Sequence, residues 1–169
     1  MSDVSPRFSA GLVPFRRTAE GLEVFLVHMA GPYWAHKDQG AWSIAKGEYD
    51  PRTEDPREVA AREFVEEVGM PVPDGRWLDV GEFTMPSGKQ VRVFALETDA
   101  DLGFVSSNLF TMEWPPRSGR MMQFPETDDA GWFPIEVAAG KLVSGQVQLL
   151  DMVARVVPES AQDAGGPCG

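Results

Sequence analysis

The sequence predicts an α/β fold of the α+β type, in which helices cover both sides of a mixed β-sheet. Three observations predict it. Two apolar stretches near the start, 8–16 and 22–29, indicate a hairpin around a Thr-Ala-Glu-Gly turn. One well-capped helix follows, and the remaining apolar stretches indicate strands before two closing helices. Regular strand–helix–strand units are few, which favours a sandwich with a mixed sheet over a doubly wound sheet.

The other elements are predicted from turn residues and apolar patterning. Residues 41–50 predict a short strand that breaks at Lys46–Gly47, and residues 56–68 predict the capped helix. Asp55 is its expected N-cap, and Gly69 is expected to end it. The later expected elements are strands at 76–85, 90–97, 108–114 and 130–133, helices near 134–140 and 145–157, and a disordered tail over 158–169.

Length and composition narrow the class of protein. The chain has 169 residues and a mass of 18.6 kDa, which predicts one domain over 1–157. Apolar residues make up 43% and charged residues 24%, which excludes a disordered or fibrous chain. No apolar run reaches the roughly 20 residues of a membrane span, and the first residues lack a signal-peptide pattern. The single Cys168 excludes disulfides within the chain, so a cytoplasmic protein is expected.

The charge balance argues against two classes of partner. The formal net charge is −11 and the pI is about 4.6. Such a chain repels nucleic-acid backbones and anionic membranes at long range. A polyanionic substrate would therefore need a mediating cation, for which a divalent metal ion is the natural choice.

An acidic cluster marks the second half of the predicted helix. At about 100° per residue, Ala61, Phe64, Val65 and Val68 are expected on its apolar face. Three carboxylates at spacings i, i+3 and i+4 project from the other side: Glu63, Glu66 and Glu67. A solvated helix face is the simple explanation. However, the macrodipole disfavours anions at this end, and 67–73 contain no Lys or Arg, which favours a bound Mg²⁺ or Mn²⁺.

Residues 47–70 resemble the Nudix box: Gly, five residues, Glu, seven residues, then Arg-Glu-U-x-Glu-Glu-x-Gly-U, with U aliphatic. Six residues rather than five separate Gly47 from Glu54, and Phe64 replaces an aliphatic residue. The extra residue falls in a loop, where an insertion costs little. The strand pattern around the box fits a Nudix domain across about 8–157. The matching residues are Gly47, Glu54, Arg62, Glu63, Glu66, Glu67, Gly69 and Met70.

The resemblance implies the Nudix fold and a metal-dependent hydrolysis of a nucleoside diphosphate linked to another group. It implies that Glu66 and Glu67 are the primary ligands of Mg²⁺, for which Mn²⁺ can substitute. It makes Glu63 a further ligand or the general base, and the Gly47 carbonyl an additional ligand. A bound divalent cation would neutralise phosphate charge, which reconciles the acidic chain with an anionic substrate.

The remaining box positions are expected to act through geometry. Arg62 is expected to hold the carboxylates in place by ion pairing, and Glu54 to anchor the loop. Gly69 ends the helix. A plain salt bridge between Arg62 and Glu54 is the alternative, and it differs little from these expected positioning roles.

Two stretches outside the box resemble those of diadenosine polyphosphate hydrolases. Residues 42–47 are similar to Trp-x-x-Pro-Lys-Gly, with Ala in place of Pro, which makes Trp42 and Lys46 expected substrate-binding residues. Lys46 would bind an outer phosphate as a point charge. Glu126 lies six residues before Trp132, as does a glutamate that reaches the metals in those enzymes, so it is an expected metal ligand or general base. A surface lysine and a solvated loop glutamate are the alternatives.

Two long loops, 31–40 and 113–120, are rich in aromatic and basic residues and are expected to contact the substrate. For each residue, packing under the loop or exposure at its rim is the alternative. His28 is expected to be a structural histidine. The expected contacts are Tyr33, Trp34 and Phe124 with a base, and His36, Lys37, Arg117 and Arg120 with phosphates.

The whole chain resembles a bacterial subgroup of nucleoside-triphosphate pyrophosphohydrolases. The expected substrate is a dinucleoside polyphosphate such as diadenosine tetraphosphate, cleaved asymmetrically. The alternatives are a nucleotide-pool sanitising NTP pyrophosphohydrolase, an RNA 5′-pyrophosphohydrolase, and a Nudix module that senses a nucleotide without hydrolysing it. A sensor usually lacks box carboxylates, and here all three are present. The expected partner is a small nucleotide, with neither membrane nor nucleic acid, and a homodimer is left open.

Overall fold

The computed structural model describes residues 7–158, and this part of the chain forms nine strands and three helices. The tail expected beyond 158 lies outside the described residues. The strands are β1 (Phe8–Thr18), β2 (Gly21–Met29), β3 (Trp42–Ser43), β4 (Ala45–Glu48), β5 (Arg76–Thr84), β6 (Gln90–Glu97), β7 (Leu109–Glu113), β8 (Met121–Pro125) and β9 (Thr127–Pro134). The helices are α1 (Pro56–Val68), α2 (Ile135–Lys141) and α3 (Gln148–Val156).

Seven strands form one mixed sheet in the order β3-β2-β1-β6-β5, with β4 beside β1 and β9 beside β2. The pair β1–β6 is parallel, and the other named pairs are antiparallel. Strands β3 and β4 pair with β2 and β1 respectively, so the chain changes partner at Ile44. The expected break at Lys46–Gly47 is therefore wrong: both residues lie inside β4, opposite Gly11 and Ala10.

Helices cover both faces of this sheet. Helix α1 packs with one cluster of apolar side chains, which includes Leu12, Phe25 and Leu96. Residues of α2 and α3 pack with a second cluster, which includes Val13 and Phe15. The predicted sandwich with a mixed sheet is confirmed. None of the helices in the described part of the chain is long and apolar enough to cross a membrane.

Three later elements differ from the prediction. Strand β8 was not expected, because its methionines are exposed and leave no alternating buried pattern; it pairs with β7 in a separate two-stranded sheet. Strand β9 is longer than the expected 130–133. The helix expected at 145–157 starts later, since a 3₁₀ turn over Ser144–Gln146 precedes α3.

Candidate active site

Helix α1 begins and ends at the expected residues. The Asp55 side chain accepts a hydrogen bond from the Arg57 N–H, and Gly69 ends the helix with a left-handed φ of 82°. However, the helix is rotated from the expected orientation, because Val65 is 44% exposed whereas Glu67 is only 9% exposed. The Glu67 carboxylate faces β4, where it accepts a hydrogen bond of 2.8 Å from the Lys46 N–H. Glu67 therefore does not belong to a solvated helix face.

Glu63 lies against Gly47, and the contact requires a glycine. A Cβ at Gly47 would lie 1.7 Å from the Glu63 Oε1, far less than the sum of the van der Waals radii of the two atoms. Strand β4 thus brings the Gly47 backbone and the Glu63 carboxylate together, and it brings the Lys46 N–H to Glu67. Two of the three helix carboxylates are held against one short strand.

Burial and neighbouring carboxylates raise the pKa values of Glu63, Glu67 and Glu126. Burial, followed by the hydrogen bond and charge of Glu66, raises the pKa of Glu63 to about 7. Burial also raises the pKa of Glu67 to about 8, against the opposing charge and N–H of Lys46. The pKa of Glu126 is raised by burial and by the charge of Glu66. Four acidic groups therefore share one region in which full ionisation is unfavourable without a cation.

The donor chemistry of this region fits a hard divalent cation, which prefers carboxylate and carbonyl oxygens. The side chains as they stand do not form a finished metal site: in residues 7–158 no three His, Cys, Asp or Glu side chains are grouped to hold an ion. Glu67 instead accepts a hydrogen bond from the backbone of β4, and the Glu63 carboxylate lies against the Gly47 backbone.

Arg62 and Glu54 form an ion pair that links α1 to the loop that precedes it. The Arg62 Nη1 lies 3.3 Å from the Glu54 Oε2, and the Glu54 Oε1 accepts a hydrogen bond of 3.0 Å from the Asp50 N–H. Arg62 therefore pairs with Glu54, and its charge lowers the pKa of Glu63 only as a minor effect. This arrangement ties the loop before α1 to the middle of the helix.

Glu126 lies between β8 and β9, and the fold brings it to the same region. Its N–H donates to the Asn108 carbonyl, and its carbonyl accepts from the Ala30 N–H. Its half-buried side chain lies close enough for its charge to raise the pKa values of both Glu63 and Glu67. The residue predicted from its distance to Trp132 thus joins the three box glutamates.

Lys46, the expected phosphate-binding residue, lies in β4 between two residues that face α1. Its neighbours Ala45 and Gly47 face α1, and its Cβ lies 2.8 Å from where a Gly11 Cβ would stand. Because side chains alternate along a strand, the Lys46 side chain leaves the sheet on the face opposite α1. Burial and the charge of Lys89 lower the pKa of Lys46, while the charge of Glu67 opposes them.

A cavity of about 390 Å³ opens beside Glu126, between the turn after β2 and the β7–β8 hairpin. Apart from Glu126, its walls are apolar or aromatic, and they include Tyr33, Trp34, Phe110 and Met112. The Tyr33 ring packs edge-on against Trp114, with ring centroids 5.2 Å apart. The cavity has room for a planar ring at the edge of the carboxylate region.

The other predicted contact residues fall into three groups. Trp42 is buried against His28 and Phe133 and donates to Asp38, which gives it a structural role in the core away from the cavity wall. Phe124 packs against Phe110, behind the cavity. The basic residues are exposed on the two loops: His36, Lys37, Arg117 and Arg120.

Several solved structures are similar to this chain. The Ap4A hydrolase of C. elegans, in a binary complex, is 21% identical with a TM-score of 0.58, over 88% of this chain and 96% of that one. The NUDIX domain of Shewanella oneidensis NrtR, complexed with ADP ribose, is 14% identical with a TM-score of 0.58, over 90% and 89%. A NUDIX hydrolase of Listeria monocytogenes is 17% identical with a TM-score of 0.57, over 88% and 94%. These similarities show the shared fold.

A family model for the NUDIX domain matches residues 5–153, which is most of the chain. No curated protein matches the chain. The matched residues include the β-strands, the Nudix box and the segment with Glu126, which together form the acidic region. The chain therefore belongs to the Nudix family of hydrolases, which act on pyrophosphate bonds in nucleotide-linked substrates.

Proposed function

We propose that this Nudix domain hydrolyses a dinucleoside polyphosphate, such as diadenosine tetraphosphate, by asymmetric cleavage that requires Mg²⁺. The observation that supports it is the meeting of two surfaces at Glu126: an aromatic cavity and a group of carboxylates. A substrate with a base at one end and a long phosphate chain fits both. The similarity to the Ap4A hydrolase of C. elegans is consistent with this substrate class.

The residues proposed to hold Mg²⁺ are Glu66, Glu67 and the carbonyl of Gly47, with Glu63 as a further ligand. When bound, the ion would neutralise phosphate charge, orient the substrate and lower the pKa of an attacking water. The Lys46 N–H keeps the Glu67 carboxylate turned toward β4. Because Gly47 has no side chain, the Glu63 carboxylate can lie against its backbone.

Two carboxylates, those of Glu63 and Glu126, are the proposed candidates for the general base. A general base is most effective when its pKa lies near the working pH. Without an ion, burial raises the pKa values of both Glu63 and Glu126. Glu63 can accept the proton of the attacking water only where it is not itself a ligand, because a bound cation lowers the pKa of the carboxylate that holds it. Glu126 has the added feature of bordering the cavity where the base would bind.

The cavity walls are proposed to bind one base by stacking. Aromatic side chains favour offset or edge-on contact with a flat ring, and Tyr33, Trp34 and Phe110 supply three such surfaces. Lys37 lies over the Trp34 ring at 5.4 Å, so its charge stands at the cavity rim. The exposed Arg117 and Arg120 on the hairpin are available to the far end of a long phosphate chain.

Product analysis of a nucleotide panel with Mg²⁺ or Mn²⁺ tests the proposal. The panel contains diadenosine tetraphosphate, the four NTPs, ADP-ribose, a nucleotide sugar and a 5′-triphosphate RNA. Glu67→Gln is the inactive blank, and Glu58→Gln, an exposed glutamate in the first turn of the same helix, is the matched control. We expect ATP and AMP from diadenosine tetraphosphate with the wild type and the control variant only.

Other products would assign another function. Pyrophosphate from an NTP would favour nucleotide-pool sanitising, and pyrophosphate from RNA would favour 5′-end processing. Binding of a nucleotide without any turnover would instead indicate a sensing module. Any of these three results, in place of ATP and AMP, would contradict the proposed substrate.

A further inference from the structure

Three consecutive residues around Glu126 are each tied to a different part of the fold. The Glu126 backbone bonds Asn108 at 2.9 Å and Ala30 at 3.2 Å. The Thr127 N–H donates to the Ser107 Oγ at 3.1 Å, and its hydroxyl donates to the Glu67 carbonyl at 2.5 Å. The Asp128 carboxylate lies 2.6 Å from the His28 Nδ1. These bonds fix the conformation of Glu126 and of the first two residues of β9.

The strand register shows a distortion at the same place. In the β2–β9 pair, His28 faces Asp129 and Met29 faces Thr127, so Asp128 has no partner in the ladder. A bulge of this kind redirects neighbouring side chains and is common beside active sites. The His28 ring confirms its predicted structural role, because it bridges Asp128 and the Lys37 carbonyl.

The Thr127 hydroxyl makes the direct connection to α1. Its side chain is only 2% exposed, and its acceptor is the carbonyl of Glu67, one of the last carbonyls of the helix, which have no partner within the helix. The Asn108 N–H donates in the same way to the Glu66 carbonyl at 3.0 Å. The segment that carries Glu126 is thus attached to the backbone of the two residues whose side chains are the proposed primary ligands.

We propose that Thr127 is a positioning residue, whose hydroxyl holds the Glu126 carboxylate against the glutamates of α1. The proposal rests on the proposed function, since it concerns the role of Glu126 in that reaction. A hydrogen bond across 60 positions of sequence fixes the distance between helix and strand at the point where the carboxylates meet. Small errors of placement at a reacting centre have large effects on rate.

The test compares Thr127→Val, which keeps the shape and removes the donor, with Thr127→Ser, which keeps the donor. Thr98→Val is the matched control, because Thr98 is also buried and its hydroxyl accepts a local hydrogen bond from the Ala100 N–H, just after β6. With diadenosine tetraphosphate and Mg²⁺, we expect kcat of Thr127→Val to fall about tenfold or more, with KM within about twofold. Thr127→Ser and Thr98→Val should stay within about threefold of the wild type.

A double-mutant cycle with Glu126→Gln separates positioning from general stability. If Thr127 acts through Glu126, then adding Thr127→Val to Glu126→Gln should lower kcat no further. Amide hydrogen exchange gives a readout that needs no substrate: exchange at 126–129 should become faster in Thr127→Val and stay unchanged in Thr98→Val.

Several results would overturn the proposal while the proposed function stands. They are a wild-type kcat for Thr127→Val, a loss that multiplies with that of Glu126→Gln, or a Glu126→Gln variant with full activity. A wild type that turns over no nucleotide would instead remove the proposed function. The exchange experiment would then decide alone, and unchanged exchange at 126–129 in Thr127→Val would overturn the positioning role.

Discussion

Helices α1 and α3 pack on opposite faces of the same sheet, and they differ in what they bury. Helix α3 buries Leu149, Leu150 and Val153, and it carries an acidic residue in its first turn and a basic one in its last. The N-terminus of α1 is stabilised by the Asp55 cap. However, its last turn has no basic residue, and the helix buries Glu67. The charges of α3 agree with the helix dipole, whereas α1 places acidic residues at its C-terminal end and buries one of them, which is unfavourable in the absence of a cation.

The contrast supports the proposal that α1 carries the functional carboxylates. The charge pattern of α3 and the capped start of α1 both favour a helix, whereas the acidic residues over Glu63–Glu67 oppose the helix dipole. Natural sequences depart from such local preferences mainly at functional sites. In this part of α1, burial and neighbouring carboxylates raise the pKa values of Glu63 and Glu67.

The largest expected effect is the loss of activity on changing the buried carboxylate of α1. Glu67→Gln keeps an acceptor for the Lys46 N–H but removes the negative charge. We expect kcat with Mg²⁺ to fall at least about 100-fold, because a metal ligand supplies several kcal/mol of transition-state stabilisation. Steady-state kinetics measure it, with Glu58→Gln as control. Activity within threefold of the wild type would show that Glu67 is not a ligand.

A core substitution in α3 should lower the stability of the protein without changing its activity. Leu149 is fully buried, so Leu149→Ala should lower the free energy of unfolding by about 2–5 kcal/mol. Activity per folded molecule should stay the same, since α3 lies on the face of the sheet away from the carboxylates. Urea denaturation and kinetics at low temperature measure the two quantities. A large change in kcat of the folded variant would contradict the division of roles.

The smallest expected effect is a pH dependence of stability in EDTA. The folded pKa of Glu67 is about 8, above the ordinary 4.5, so its contribution is full below pH 4.5 and is lost as the pH rises toward 8. The wild type should therefore lose about 1 kcal/mol more stability than Glu67→Gln between pH 6 and pH 7, where the folded group is still protonated and the unfolded group is ionised. Equal slopes in urea denaturation at these pH values would contradict the raised pKa.

Local signals in the sequence predicted much of this molecule. The bounds of α1 followed from Asp55 and Gly69, whose effects act within a few residues. The β1–β2 hairpin followed in the same way from its turn. Gly47, Glu54 and the glutamates came together in space because they share one motif, and Glu126 was found through its distance from Trp132.

The parts that local signals missed depend on contacts between distant residues. Helical periodicity gives the angles between side chains but not which side faces the sheet, so Val65 was expected in the core and Glu67 outside it. The rotation is explained by the Lys46 N–H, which lies 21 positions earlier. The bond from Thr127 to Glu67 spans 60 positions and joins a hydroxyl to a backbone carbonyl, which leaves no pattern in the sequence.

Thermal unfolding of the wild type and Glu67→Gln at pH 8, each in EDTA and in Mg²⁺, tests whether α1 is less stable because it binds a cation. We expect Glu67→Gln to be the more stable of the two in EDTA, because it lacks a buried charge. In Mg²⁺ the wild type should gain stability, by about 2.7 kcal/mol at 100 times the dissociation constant, and the variant should gain little. Equal gains from Mg²⁺, or a variant less stable than the wild type in EDTA, would show that the carboxylates of α1 are not arranged for a cation.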